Sequence, residues 1–143
     1  MGLNEQKLIY IYTKFHRLNE SQFCFLMKTD LSYLREMSGG NKELVLEMIS
    51  IFREQVSEFS MEMDKHLASH DYESLGKLAH KAKSSVSIMG LQELAVDLKD
   101  LENLAREGKK PESYAGIIEK FKQVSVIALQ ELEVVSANIE LYF

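Results

Sequence analysis

The chain has 143 residues, enough for one domain with a buried core, and its 45% hydrophobic and 27% charged residues are typical of a globular protein. The net charge of -5, with no cluster of Lys and Arg, argues against a nucleic-acid partner, because phosphate contacts need grouped cations. Cys24 is the single cysteine, which excludes a disulfide within the chain and a metal site built on cysteines.

The first 26 residues show no helical periodicity that fits the rest of the chain. Residues 8–12 (LIYIY) could form a strand or an extra helical turn, and they are too few for a signal-peptide core or a membrane span. We therefore treat residues 1–26 as an N-terminal extension whose structure the sequence does not assign, and residues 27–143 as the domain. We expect a cytoplasmic protein with no membrane partner.

The first clear helix is predicted to begin at the N-cap Asn41, after the Gly39-Gly40 break, and to run to about Ser69. A further short helix is predicted at residues 30–37, where it would cover one end of the domain. Apolar residues of the long helix recur every three or four positions and so form one core face. These residues are Val45, Met48, Phe52, Val56, Phe59, Met63 and Leu67.

The second helix is predicted to follow the N-cap Asp71 and to end at Gly90, because glycine is common at helix C-termini. Its core residues are Leu75, Leu78, Ala79, Ala82, Val86 and Met89. The third helix is predicted to stop at Gly108. Its core residues are Leu91, Leu94, Leu98, Leu101 and Ala105.

The fourth helix is predicted to begin near Pro111, where the missing N–H of proline costs little. Its core residues are Ile117, Phe121, Val124, Ala128, Leu132, Val135 and Ile139. Four amphipathic helices with short connections predict an all-α fold, an antiparallel four-helix bundle with an additional short N-terminal helix. No segment predicts a strand.

His80 is the candidate functional residue of the second helix. On a helical wheel it lies roughly 140° from the core direction, so we expect its ring to face solvent. Gly76, Lys83, Ser84 and Ser87 are predicted to share this outward face, and three of these four are small. The pattern predicts an accessible nucleophile that another protein can approach closely.

Glu102 is the candidate partner of His80. In an antiparallel hairpin that turns near Gly90, the two residues are about equally far from the turn. A carboxylate at the edge of this interface that accepts a hydrogen bond from Nδ1–H would fix the tautomer and leave Nε2 free to attack phosphorus. The competing interpretation is that Glu102 is an exposed charge paired with Lys99 or Arg106.

Lys83 stands one turn beyond His80. Phosphoryl transfer depends mainly on positioning and on neutralising charge, so an ammonium group there would stabilise the incoming phosphoryl oxygens. The competing interpretation is a solvated surface lysine.

The sequence HKAKSSVSIMG at residues 80–90 resembles the signature of histidine-containing phosphotransfer (Hpt) domains. That signature has a histidine, a lysine three positions later, a small residue next, and a closing hydrophobic-glycine pair. Ser84 stands where glycine is also common, and Glu102 stands where the family places a Glu or Gln that bonds the ring. The resemblance covers residues 27–143.

The resemblance implies a phosphocarrier in a two-component phosphorelay. His80 would accept a phosphoryl group from the aspartyl phosphate of a response-regulator receiver domain, supplied by a hybrid sensor histidine kinase, and pass it to a second receiver. The receiver would dock over the second and third helices, at a surface that includes Gly76, Ser84, Ser87 and Gly90. It would also supply Mg²⁺ and most catalytic groups, so the chain itself would be neither an enzyme nor the holder of a cofactor.

Two other functions stay open: the phosphoacceptor domain of a larger, chemotaxis-like histidine kinase, and a helical adaptor without chemistry. His66 and His70 have the four-residue spacing of metal ligands, but only Asp71 offers a third ligand, so we predict no metal site. The chain has no P-loop and no Gly-rich nucleotide loop.

Overall fold

The computed structural model describes residues 28–143, so the interpretations offered for Cys24 and for residues 1–26 lie outside the described part. That part contains six α-helices and no strand. They are α1 (Ser32–Ser38), α2 (Lys42–Ala68), α3 (Tyr72–Ile88), α4 (Gln92–Glu107), α5 (Tyr114–Ala137) and α6 (Ile139–Tyr142). A 3-10 turn, Pro111–Ser113, precedes α5.

The four long helices form a bundle in which α3 packs against α2 and α4, and α5 closes the ring by packing against the same two helices. The connections between consecutive long helices are short, so neighbours run antiparallel. The predicted all-α four-helix bundle is confirmed. None of the helices within residues 28–143 has the length and apolar character needed to cross a membrane.

The predicted helix starts at Asn41 and Asp71 are confirmed by side-chain caps. Asn41 Oδ1 accepts a hydrogen bond from the backbone N–H of Leu44 at 3.2 Å, and Asp71 Oδ1 accepts one from Ser74 at 3.1 Å. Gly108 ends α4 in the left-handed conformation, with φ 65°. Local sequence signals therefore set these boundaries.

The buried core agrees with the predicted faces of α3 and α4 at every position and differs on α2 and α5. Ile49 is fully buried, whereas Met48 is only half-buried. The apolar face of α2 is therefore centred on Ile49, and Met48 lies at the edge of that face. In the same way Ile118, rather than Ile117, is buried on α5.

The fourth long helix ends earlier than predicted, at Ala137, and Ile139 belongs to the separate helix α6. Asn138 interrupts the helix with φ -129°. Its side-chain amide donates a hydrogen bond to the carbonyl oxygen of Val134 at 2.9 Å, and so occupies an acceptor of the last turn.

The turn between α3 and α4 packs against Asp30, two residues before α1 begins. Gly90 has φ +74°, and a Cβ there would lie 2.3 Å from the carbonyl oxygen of Asp30. The backbone N–H of Asp30 also donates to the carbonyl oxygen of Met89 at 3.2 Å. Only glycine fits this close approach, which places α1 beside the C-terminal end of α3.

A buried carboxylate, Glu131, anchors the beginning of the described chain to α5. It accepts hydrogen bonds from the backbone N–H groups of Lys28 at 2.6 Å and Thr29 at 3.4 Å. Burial raises the pKa of Glu131 to about 7, against the lowering effect of the two hydrogen bonds and of the Lys28 charge.

Candidate functional site

His80 lies in the middle of α3, on the side turned away from the bundle core. Its side chain is 54% exposed, whereas Ala79 and Ala82 are fully buried. This exposure agrees with the helical wheel. The ring is accessible to another protein.

Glu102 faces His80 across the α3–α4 hairpin. Its Oε1 lies 2.9 Å from Nδ1 of His80, which is the contact expected from their equal distances to the turn. The environment of the carboxylate differs from the expected edge or exposed surface, because the Glu102 side chain is only 2% exposed. Close packing of α3 against α4 at Gly76 and the Arg106 side chain that lies over this glycine account for the burial.

Two cations bind Glu102 in addition to His80. Lys99 Nζ lies 3.2 Å from Oε2, and Arg106 Nη2 lies 3.1 Å from Oε1. Pairing with Lys99 or Arg106 was the alternative to contact with His80, and the structure contains all three contacts together. A buried carboxylate needs this degree of compensation, because an unpaired charge in the interior is costly.

The cations determine the ionisation of Glu102. Burial acts to raise its pKa, but the hydrogen bond from Lys99 and the positive charges of Lys99, His80 and Arg106 together outweigh burial, so the pKa lies below its ordinary value. An ionised carboxylate only accepts hydrogen bonds. Nδ1 of a neutral His80 ring therefore carries the proton, and Nε2 carries the free lone pair.

The residues that follow His80 on α3 are small or cationic. Lys83 is half-buried, Ser84 is exposed and Ser87 is half-buried. The hydroxyls of the two serines donate to carbonyl oxygens of their own helix, Ser84 to His80 at 3.4 Å and Ser87 to Lys83 at 2.7 Å. Both side chains thus turn back onto α3, and neither extends over the His80 ring.

One of the four residues expected at the docking surface is covered by other residues of the same chain. Gly76 is buried, and a Cβ there would lie 3.1 Å from Cγ of Arg106 and 3.3 Å from the carbonyl oxygen of Glu102. The expectation that Gly76 faces a partner is therefore corrected, because a helical wheel gives a direction but not the approach of a neighbouring segment. Gly90 is half-buried, with Asp30 lying against one side of it.

An apolar surface beside His80 was missed by the sequence analysis. A groove of about 630 Å³ runs between α2 and α3, and its lining includes Met48, Ile51 and Ile88 together with His80. Ile51 is 46% exposed, and Tyr33 of α1, which lines a second hollow next to Lys83 and Ser87, is 45% exposed. The sequence signal that could have revealed this surface was Ile51, an apolar residue on the solvent-facing side of α2, next to its core residues.

Comparison with known families gives one match. The model of the Hpt domain family matches residues 47–137, which include His80, Lys83 and Glu102. The chain belongs to the Hpt domain family. No curated protein and no solved structure matches the chain. As an Hpt domain, it has a phosphotransfer role in two-component signalling, and domains of this family carry phosphoryl groups rather than catalyse a turnover reaction.

Within residues 28–143, no group of three His, Cys, Asp or Glu side chains is placed to hold a metal ion, at the His66 and His70 pair or elsewhere. His66 Nδ1 lies 4.0 Å from Asp71 Oδ2. His70 has φ 56° and packs edge-on against Tyr72, with ring centroids 5.8 Å apart. Asp71 is engaged in capping α3.

Proposed function

We propose that Nε2 of His80 accepts a phosphoryl group from the aspartyl phosphate of a receiver domain and passes it to a second receiver, in a cytoplasmic phosphorelay. The observation that supports this most directly is the hydrogen bond from Nδ1 of His80 to Glu102. It leaves the lone pair on Nε2 of an exposed ring. A lone pair at that nitrogen is the nucleophile that the transfer needs.

In the proposed step, the Nε2 lone pair forms the N–P bond as the P–O bond to the aspartate breaks, and the aspartate leaves as a carboxylate. No proton has to move, because Nδ1 keeps its proton and Nε2 carries none. The ring becomes more positive as the bond forms. The ionised Glu102 carboxylate, in contact with Nδ1, stabilises that charge and orients the ring.

Lys83 would stabilise the phosphoryl oxygens. It stands one turn after His80 on α3, and its side chain lines the hollow that also contains Ser84. Lys99 and Arg106 are engaged by Glu102, and we assign Lys83, in the position where the family signature has a lysine, to the transferred group. Mg²⁺ and the remaining catalytic groups would come from the receiver.

The docking surface that we propose includes α1 and α2 as well as α3. Ser84 and Ser87 permit close approach next to His80, and the exposed apolar side chains beside them are Tyr33 on α1 and Ile51 on α2. An apolar patch next to a reactive group is the usual character of a protein-binding surface. A receiver seated there would cover His80 and exclude water from the transfer.

The proposal is tested by labelling. The protein is mixed with Mg²⁺ and a panel of receiver domains that carry a radiolabelled aspartyl phosphate. Acid-labile, base-stable label is then followed on wild type, His80→Gln and the matched control His70→Gln, which changes an exposed histidine outside the site. We expect label on wild type and on the control and none on His80→Gln.

Failure of every receiver to label the wild type, or equal labelling of His80→Gln, would contradict the proposal. Labelling of His80 only by an ATP-bound histidine kinase catalytic domain would instead favour the phosphoacceptor domain of a larger kinase.

A further inference from the structure

The two cations on Glu102 act at different oxygens. Both stand one turn away from Glu102 on α4, Lys99 before it and Arg106 after it. Lys99 contacts Oε2, whereas Arg106 contacts Oε1, the same oxygen that lies 2.9 Å from Nδ1 of His80. Arg106 therefore acts on the atom that orients the histidine.

The path of the Arg106 side chain depends on Gly76. This glycine stands one turn before His80 on α3 and is buried against α4. A Cβ at residue 76 would lie 3.1 Å from Cγ of Arg106 and 3.5 Å from its backbone nitrogen. Because glycine leaves this space, the stem of Arg106 packs against Gly76 while its guanidinium reaches Oε1 of Glu102, one turn earlier on the same helix.

We propose that Arg106 is a positioning residue for phosphotransfer, which acts with Gly76 to hold Oε1 of Glu102 against Nδ1 of His80. This inference rests on the proposed function of His80. The contact of Arg106 with Glu102 is an ion pair, in which the positive guanidinium attracts Oε1, the oxygen that meets Nδ1 of His80. Gly76, expected from the sequence to meet a partner, has its role inside the domain instead.

The consequence of losing Arg106 follows from the remaining contacts. Lys99 binds only Oε2, so on its own it leaves Oε1 without a cation. Oε1 is then held by His80 alone, the ring gains freedom to rotate, and the tautomer with the proton on Nε2 becomes populated. That tautomer has no lone pair at the attacking nitrogen.

The test uses isotope-labelled histidine and nitrogen NMR on the unphosphorylated full chain, at a pH at which the nitrogen chemical shifts themselves report a neutral ring. We expect wild type and the control Arg53→Gln, an exposed arginine on α2, to show the proton on Nδ1 of His80. We expect Arg106→Gln to show a mixture of tautomers and to receive the phosphoryl group about tenfold more slowly. Arg106→Lys should be intermediate in both measurements.

A second variant tests the role of the glycine. Gly76→Ala should displace the stem of Arg106 and reproduce the tautomer mixture of Arg106→Gln. The double variant Gly76→Ala/Arg106→Gln should be no slower than Arg106→Gln alone, because both changes remove the same contact. Additive slowing by the two changes would show that Gly76 acts independently of Arg106 and would overturn this part of the inference.

The outcomes separate the two proposals. An Arg106→Gln protein with the wild-type tautomer and the wild-type transfer rate overturns the role of Arg106 and leaves the role of His80 standing. Absence of label on the wild type contradicts the role of His80, while the NMR result still decides whether Arg106 orients the ring. If Arg106→Gln loses its helical circular dichroism, Arg106→Lys takes its place, and an unchanged His80 spectrum in that variant overturns the inference.

Discussion

Two buried carboxylates in this Hpt domain have opposite ionisation behaviour. Glu102 and Glu131 are both almost inaccessible to solvent, yet the pKa of Glu102 lies below its ordinary value and the pKa of Glu131 is raised to about 7. Burial is the largest influence on each. The partners differ: Glu102 contacts three side chains that carry or can carry positive charge, whereas Glu131 accepts two backbone N–H groups.

The difference teaches that hydrogen bonds alone do not keep a buried carboxylate charged here. At Glu131, the N–H donors offset only part of the free-energy cost of burying a charged carboxylate. At Glu102, the neighbouring cations offset that cost. A Glu102 carboxyl whose pKa is lowered suits a residue that has to accept a hydrogen bond from a ring that becomes more positive during transfer. Glu131 can instead take up a proton near neutral pH, at the end of the bundle where the chain enters it.

The largest effect is expected from replacing Glu102, the one of these two buried carboxylates whose pKa is lowered. Glu102→Ala should slow phosphoryl transfer to His80, or shorten the phosphohistidine lifetime, by about 10- to 100-fold, because the ring loses its orienting acceptor. Transfer kinetics and circular dichroism measure the change. The control Glu107→Ala removes an exposed carboxylate from the same helix. Wild-type kinetics in Glu102→Ala would remove Glu102 from the mechanism.

The second prediction concerns the pH dependence of stability. The folded state holds the Glu131 proton more tightly than the unfolded state, since the folded pKa is about 7 and the ordinary value is 4.5. Stability from this group is thus fully present below about pH 4.5 and is lost as pH rises through about 7. Relative to Glu131→Gln, which cannot ionise, the wild type should lose about 3 kcal/mol of unfolding free energy across that interval.

Urea denaturation of the two proteins across this pH range measures the difference. Comparison with the variant cancels the other titrating groups that the two proteins share. A constant difference at all pH values would show that Glu131 ionises as an exposed carboxyl does, and the contrast with Glu102 would disappear.

A smaller effect is expected at Lys83, a cation that does not contact Glu102. Lys83→Ala should slow transfer about fivefold, since a partly solvent-screened charge near the phosphoryl oxygens contributes about 1 kcal/mol. Lys77→Ala, on the same helix and paired with Glu73 outside the site, is the matched control. If both variants slow transfer equally, the slowing comes from the loss of one positive charge from the domain, and Lys83 has no specific role.

The smallest effect is expected from Lys99→Met, which removes a single cation from Glu102. The pKa of Glu102 should rise toward its ordinary value, because the hydrogen bond and the charge of Lys99 are the leading influences that lower it. Carboxyl-detected NMR titration of the wild type and the variant measures this shift. A Glu102 pKa that does not move would mean that Arg106 and His80 are enough to keep the carboxylate ionised.

Much of the fold was predictable because it depends on patterns among residues that are close together in the sequence. The stripes of α3 and α4, the caps at Asn41 and Asp71 and the exposure of His80 follow from helical periodicity and from side chains a few positions apart. The contact between His80 and Glu102 followed from the symmetry of a hairpin. These features depend on distances along the chain that the sequence gives directly.

The features that sequence reasoning missed depend on how separate segments approach each other. The burial of Gly76 depends on α4 lying against α3, and the close approach at Gly90 depends on Asp30. Glu131 reaches the backbone of Lys28, 103 residues away in sequence. The apolar surface around Ile51 was overlooked because a single exposed apolar residue on α2 does not indicate a binding surface. Its position next to His80 becomes visible only when the packing of α2 against α3 is known.

The central claim, that His80 is phosphorylated on Nε2 while Glu102 holds Nδ1–H, is tested most directly by a phosphorus–nitrogen correlation spectrum of the phosphorylated protein with isotope-labelled histidine. We predict that phosphorus couples to Nε2 of His80 and that Nδ1 of the same ring keeps its proton. Coupling of phosphorus to Nδ1, or to no nitrogen of His80, would contradict the account.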